Sequence, residues 1–357
     1  MASVKFNNSE PVFFNTLKER INNYFIEKKV KPTGDFRLYL KTITFVGSLI
    51  ASYIVLVFFT PGAWYISLGL CAVMGGLFAG IGFNVMHDGA HGSYSNIKWL
   101  NETMGYALNM MGGSTFIWKQ KHNINHHSYT NVEGMDDDID IKPFMRVHTS
   151  QKKYWFHRFQ HIYGLLLYGL TYLAWIFLQD FKKYFSGKIA DNTRIQPMSL
   201  KEHIIFWSSK VFYIGAFIIL PMYMIGVIDT IIGYSVMVFV TGVIIAVVFQ
   251  LAHIVEDAEF ITPVEPMRIE SEWAIHQINT TVNFAMNNKM WCWLLGGLNF
   301  QVEHHLFPRI SHVHYPQISK IVRATCQEFN IAYKEYPTFR SALWSHLVHL
   351  KRIGIAA

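Results

Sequence analysis

Two pairs of long uncharged runs dominate the pattern of apolar and polar positions. Residues 42–60 carry no charge, Pro61-Gly62 marks a turn, and 63–86 are again uncharged. Each run approaches the roughly 20 residues that a helix needs to cross a bilayer, so together they read as a membrane hairpin. A second hairpin reads as 211–228 and 231–252, joined near Asp229 and Thr230. A fifth apolar stretch, 162–178, is shorter and holds Tyr163, Tyr168, Tyr172 and Trp175. Ahead of the first run, Phe13, Phe14, Leu17, Ile21, Tyr24 and Phe25 recur at helical spacing. They predict an amphipathic helix on the protein or on the membrane surface. Near the other end, Ile318, Ile321, Val322, Cys326 and Phe329 share one face of a helix, as core-packing residues do.

Basic residues decide which stretches cross. All 31 Lys and Arg fall before residue 42, in 87–160, in 179–210 or after 252. Two hairpins put all of them on one side, and the enrichment of Lys and Arg in cytoplasmic loops makes that side the cytoplasm. If 162–178 also crossed, the six basic residues of 179–210 would lie outside. The stretch therefore reads as interfacial. The expected fold is all-α: an integral membrane protein with two transmembrane hairpins, four spans, and a cytoplasmic helical cap. The expected organisation is a cytoplasmic amphipathic segment over 1–41, a membrane domain over 42–340 and a C-terminal tail over 341–357. Early Lys5 and Lys18 with no apolar h-region argue against a signal peptide.

Composition agrees. Hydrophobic residues make up 51% of the 357 and charged residues only 15%, against roughly 25% charged in soluble domains. That excludes a disordered, collagen-like or coiled-coil chain and argues against an ordinary soluble domain. The net charge of +7 is accounted for by membrane topology, and no nucleic-acid motif accompanies it, so no nucleic-acid partner is expected. Cys71, Cys292 and Cys326 are far apart and form no CxxC pair, which points to neither a disulfide framework nor a metal–thiolate site.

The 17 histidines change the picture most. His87-Asp88-Gly89-Ala90-His91 follows the second apolar run. His122-Asn123-Ile124-Asn125-His126-His127 comes next, and Gln301-Val302-Glu303-His304-His305 lies in the C-terminal part. His253 ends the fourth run. All fall on the same predicted side. Residues four apart lie on one helix face, so His87 with His91, and His122 with His126, can each offer two imidazoles to one centre. Adjacent residues point about 100° apart, so His126-His127 and His304-His305 can serve two metals. Eight imidazoles exceed the three or four protein ligands of one tetrahedral zinc and suit two metals. Imidazole alone does not choose among Fe, Zn, Cu and Ni. Asp88, Asp136, Asp137, Asp138, Asp140, Glu256, Asp257 and Glu303 lie near the boxes. Each is either an acceptor for the far N–H of a metal-bound histidine or a solvated loop charge. Asn125 and Asn131 are equally open. His148, His157, His161, His203, His346 and His349 stand alone and read as ordinary surface or satisfied core residues.

HDGAH, HNINHH and QVEHH resemble the three histidine boxes of integral-membrane fatty acid desaturases, in order and in place relative to two hairpins. HHSYTNVEGMDDDIDI and EHHLFPRISHVHY are similar to the stretches at the second and third boxes. The resemblance covers roughly 40–340. A third box opening with Gln301 rather than His is similar to the front-end acyl desaturases, which act between an existing double bond and the carboxyl end. The overall pattern looks most like bacterial acyl-CoA or linoleoyl-CoA desaturase-like proteins. The resemblance implies two iron ions held by His87, His91, His122, His126, His127, His304 and His305, with His253 matching an extra family histidine. It implies that Gln301 sits near the metal without ligating it, and that O2 is co-substrate. The expected activity is insertion of a cis double bond, of Δ6 or Δ5 type, into an acyl-CoA or acyl-lipid. No HPGG haem motif is present, so electrons are expected from a separate donor of ferredoxin or cytochrome b5 type. The stretch 276–283, HQINTTVN, also looks familial, without a role that chemistry assigns. A lipid hydroxylase or ketolase on the same scaffold is the alternative, and the Gln-initiated third box favours desaturation. A membrane metal carrier is disfavoured because the four spans hold no charge or histidine. No HExxH is present to support a metalloprotease.

Overall fold

Asp35 starts the first long apolar helix. Its side chain accepts the backbone N–H of Arg37 and satisfies one of the donors left free at a helix start. The computed structural model describes residues 5–7, 11–190, 193–262 and 268–356. Helix α1 covers Val12–Lys28, α2 Phe36–Phe58 and α3 Trp64–His91. Three more long helices follow: α4 over Trp155–Ser186, α5 over Leu200–Ile225 and α6 over Val227–His253. The shorter helices include α7 over Trp273–Thr280, α8 over Gln301–Leu306, α9 over Tyr315–Glu328 and α10 over Phe339–Ile355. The protein is mostly helical, and α2 to α6 are each long and apolar enough to cross a membrane. The described strands are two or three residues long and form two-stranded pairs.

The long helices are not uniform. Gly82–Met86 within α3 form a π-helical segment. A π turn takes an extra residue and so resets the facing of everything after it. His87 and His91 follow immediately. The α5–α6 connection turns at Gly226, three residues before the sequence places it, because φ there is +96°, a region that favours glycine. Asp229 instead sits in the first turn of α6, where the helix dipole favours an acid. At the crossing of α4 and α6 the backbones nearly touch. A Cβ on Gly242 would lie 2.6 Å from the Tyr168 carbonyl oxygen, so only glycine fits.

Helix α4 contains the 162–178 stretch and extends well beyond it on both sides. Its first turns are tied to 143–146. His157 Nε2 lies 2.8 Å from the Pro143 carbonyl, and the Gln160 amide exchanges hydrogen bonds with the Arg146 backbone. Its last turn is tied to the same segment, where Lys183 Nζ lies 2.6 Å from Asp137 Oδ2. Both ends therefore rest on 137–146, which carries Asp138, Asp140 and Lys142.

The predicted amphipathic helix forms as α1 and lies on the protein. Phe13, Leu17, Ile21 and Phe25 are buried against Ile318, Val322 and Cys326 of α9 and Phe300 and Leu306 beside the third box. Of the N-terminal segment, residues 1–4 and 8–10 lie outside the described residues. Residues 341–357, read as a tail, fall largely in α10, whose Ala342, His346, His349, Leu350 and Ile353 are buried. Arg146 donates to the carbonyls of Ile353 and Ala356 and so caps that helix.

Candidate metal centre

Each histidine box sits at a helix end or in a short helix. His87 and His91 close α3, and His253 is the last residue of α6. Ser114 caps Thr115–Lys119, which continues as a π-helical turn over Gln120–His126 and carries the second box. His304 and His305 lie on α8. The three boxes and His253 converge, and all eight side chains are buried. The rings of His87 and His304 are 4.4 Å apart, those of His127 and His305 4.4 Å, and those of His126 and His253 4.7 Å.

The donor atoms fall into two sets. Those of His87, His91, His122 and His304 lie within 4.8 Å of one another, and so do those of His126, His253 and His305. His127 groups with His304 and His305 and stands between the sets. The adjacent pair His304-His305 thus divides between the two, as their directions require. His122 and His126 fall in different all-histidine sets, yet their donor atoms also lie within 4.8 Å of each other and of Asp138, as the helical spacing suggests.

One ring nitrogen of several histidines is committed to an acceptor. His126 Nδ1 lies 2.9 Å from Asp136 Oδ2, His305 Nδ1 2.8 Å from Gln277 Oε1, and His253 Nδ1 3.4 Å from the Thr280 carbonyl. These acceptors hold the proton on Nδ1 and leave a lone pair on Nε2. The Nε2 atoms of His91, His126, His253, His304 and His305 are buried without a partner. Buried polar atoms rarely remain so, and inward lone pairs at this spacing fit imidazole-ligated transition-metal ions. Burial and neighbouring imidazoles push His122, His127, His304 and His305 well below the usual histidine range, which keeps the rings neutral. Burial pulls His126 the same way, but Asp136 outweighs it and the ring is pushed up.

Of the acidic neighbours, Asp136 alone pairs closely with a box histidine, and Asp138 follows at 3.8 Å from His126. Asp137 and Asp138 pair with Lys121, and Asp137 also with Lys183. Asp140 pairs with Lys142. The Asp88 carboxylate reaches Ser311 and His312, and Glu303 reaches Tyr333 and Asn283. Glu256 and Asp257 lie beside Ser345 and Tyr336. Asn125 donates to the Met135 carbonyl, and Asn131 to the carbonyls of His253 and Glu259. Gln301 is buried with its Oε1 unpartnered. The 276–283 stretch gains a role: Gln277 orients His305, Thr280 orients His253, and Asn283 fastens Glu303. Its only sequence signal was the pattern itself, because a backbone carbonyl leaves no mark on residue type. His157, His346 and His349 are core residues bonded to the Pro143, Ile254 and Val147 carbonyls, the His349 Nδ1 being buried without a partner.

The family model for fatty acid desaturase matches residues 35–337. An acyl-lipid (8-3)-desaturase of Physcomitrium patens is 40% identical over 347 residues, covering 96% of this chain and 72% of that protein. An sn-1 linoleoyl-lipid 6-desaturase of Arthrospira platensis is 35% identical, covering 96% and 93%. A Synechocystis protein of the same description is 36% identical, covering 97% and 96%. Together with the boxes and the Gln-initiated third motif, these matches lead to one identification: the chain belongs to the fatty acid desaturase family, in its front-end branch, and is an oxidoreductase.

Proposed function

We propose that the protein uses O2 and a di-iron centre to insert a cis double bond, of Δ6 or Δ5 type, into the acyl chain of a membrane lipid. The observation that carries this reading is the pair of buried histidine sets, in which the Nε2 atoms of His91, His126, His253, His304 and His305 have no partner. His87, His91, His122 and His304 would hold one iron and His126, His253 and His305 the other, with His127 between them. When bound, the irons supply the oxidising power from O2 that abstraction of hydrogen from an unactivated methylene demands, which no side-chain acid or base provides.

The chain's own residues do the rest. Asp136, Gln277 and the Thr280 carbonyl fix three imidazoles in the ligating tautomer. Burial of the cluster keeps bulk water away from the reacting carbon. Trp118 stacks on His122 at 4.3 Å and Phe249 lies 4.8 Å from His253. Both offer apolar surface beside the ligands, against which an acyl chain can be aligned. Two hydrogens leave adjacent carbons. Two electrons from a separate donor, of ferredoxin or cytochrome b5 type, and two protons complete the reduction of O2 to two waters. The relatives named for acyl-lipid substrates favour a glycerolipid over acyl-CoA.

Four spans, with the centre facing the cytoplasm, agree best with the contacts. His126 and His253 share one donor set, so an even number of crossings separates them. Helices α4, α5 and α6 all lie between, so one of these three does not cross. Helix α4 has both ends on the charged 137–146 segment and is the one assigned to the interface.

Fatty-acid profiling with double-bond localisation, in a host supplied with linoleate and oleate, tests the activity. The expected product lacks two hydrogens near the carboxyl end. A product heavier by one oxygen would mark a hydroxylase, and no new double bond with either acid would overturn the reading. His126→Ala and His305→Ala are each expected to abolish activity in a protein that still inserts. Retention of both irons in His305→Ala would contradict the ligand assignment.

A further inference from the structure

Helix α2 gives no ligand to either histidine set, yet it places an ammonium against the first box. Lys41 is buried, and its Nζ lies 2.9 Å from Asn84 Oδ1 and 3.0 Å from His312 Nε2. An ammonium only donates, so His312 Nε2 must accept and the imidazole proton must sit on Nδ1. That Nδ1 lies 3.1 Å from Asp88 Oδ1, while Ser311 Oγ donates to Asp88 Oδ2 at 2.6 Å. Asp88 and His312 are buried as well. A buried cation and a buried anion thus flank one imidazole, which is hydrogen-bonded to the Lys41 ammonium and lies within ion-pair distance of Asp88 without a hydrogen-bond alignment.

The network grips the first box on both sides. Asn84 stands three residues before His87, inside the π-helical segment, and its Nδ2 donates to the Gly80 and Leu294 carbonyls. Asp88 stands one residue after His87. A hold at these two points fixes the rotation of the last turn of α3, and so the aim of His87 and His91. Ser311 and His312 belong to the loop that follows the third box, whose His304 shares a donor set with His87 and His91. Among the described contacts of Lys41, none reaches His126, His253 or His305.

We propose that Lys41, acting through Asn84, His312 and Asp88, is a positioning residue for the His87, His91, His122 and His304 metal set and not for the second set. An ion pair that served only packing would not distinguish the two sets. The proposal rests on the two-metal reading above, so the wild-type protein is measured beside every variant.

The test is iron stoichiometry and the Mössbauer spectrum of 57Fe-loaded, detergent-purified protein, with the melting temperature of the metal-free form as a fold control. Lys41→Met is expected to lose about one of two irons, with one spectral component reduced and the other kept. Lys41→Arg, which still donates to both acceptors, is expected to restore part of the loss. Should Lys41→Met fail to insert, His312→Leu and His312→Gln carry the test. Leucine breaks the link and is expected to lose the same component. Glutamine accepts from Lys41 and donates to Asp88, and is expected to keep it. Retention of both irons in Lys41→Met or His312→Leu, or parallel loss of both components, overturns the proposal. A wild-type protein that binds no iron would instead overturn the di-iron reading itself.

Discussion

His126 and Asp136 form a buried pair, with Nδ1 and Oδ2 2.9 Å apart and both side chains almost fully shielded. The same carboxylate accepts the backbone N–H groups of Asn131 and Asp138. It therefore orients a candidate ligand and ties down the loop after the second box at once. Asp136→Ala would leave two buried donors and one half-buried donor without this acceptor and free the His126 ring to rotate. Loss of an acceptor to a metal-bound histidine typically costs 10- to 100-fold in metal affinity or activity. A drop of about that size is expected here, measured as iron content and turnover in membranes with equal protein. Wild-type values for both would show that Asp136 is only a loop anchor.

The position of α4 makes a second prediction. With four spans, the 187–199 connection lies on the same side as α1 and the histidine cluster. A protease-cleavable tag inserted in this connection is expected to be cut only when the cytoplasmic face is exposed, in step with a tag placed before α1. Cleavage from the opposite face would require α4 to cross, and one of α5 and α6 to stay on the cytoplasmic side.

The convergence of the eight histidines and the long apolar helices were legible because their signals are local: box spacing and runs without charge. What held them in place was not. Asp136 lies ten residues from His126 and was one acid among several in its loop. Gln277 is uncharged and reaches His305 across a fold that no periodicity reveals. Thr280 acts through its carbonyl, which every residue possesses. Hydropathy gave α4 enough length and apolarity to cross, but its depth depends on Lys183, Gln160 and their partners far along the chain. The hairpin turn was misplaced toward Asp229 because Gly226 looks like any other glycine until its φ is known.

His349 was read as ordinary, which predicts a near-silent alanine variant. Its Nε2 lies 2.9 Å from the Val147 carbonyl, and its ring stacks on Phe260 at 5.3 Å within the α10 interface. Alanine there leaves a buried carbonyl unpaired, a loss of about 1–3 kcal/mol. His349→Ala is therefore expected to lower the melting temperature while iron per folded protein stays at the wild-type level. An unchanged melting temperature would restore the silent reading, and selective iron loss would give His349 a part in the centre.

Glu303 adds a pH dependence whose sign is fixed by its surroundings. Burial pushes its carboxyl up to about 7 from an ordinary 4.5, although hydrogen bonds from Tyr333 and Asn283 pull it down. Below pH 4.5 the group is protonated in both folded and unfolded chains, and its contribution to stability is complete. As pH rises toward 7 the unfolded chain gains by ionising while the folded one does not, so stability falls. Above 7 the loss is complete, and the interval corresponds to roughly 3 kcal/mol. Glu303→Gln keeps the shape and removes the charge. The metal-free variant is expected to lose less stability than wild type between about pH 5 and 8 in thermal melts. The comparison isolates Glu303, because the shift at His126 is present in both proteins. Parallel melting curves for the two across that range would show that the Glu303 carboxyl ionises in the fold at an ordinary pH.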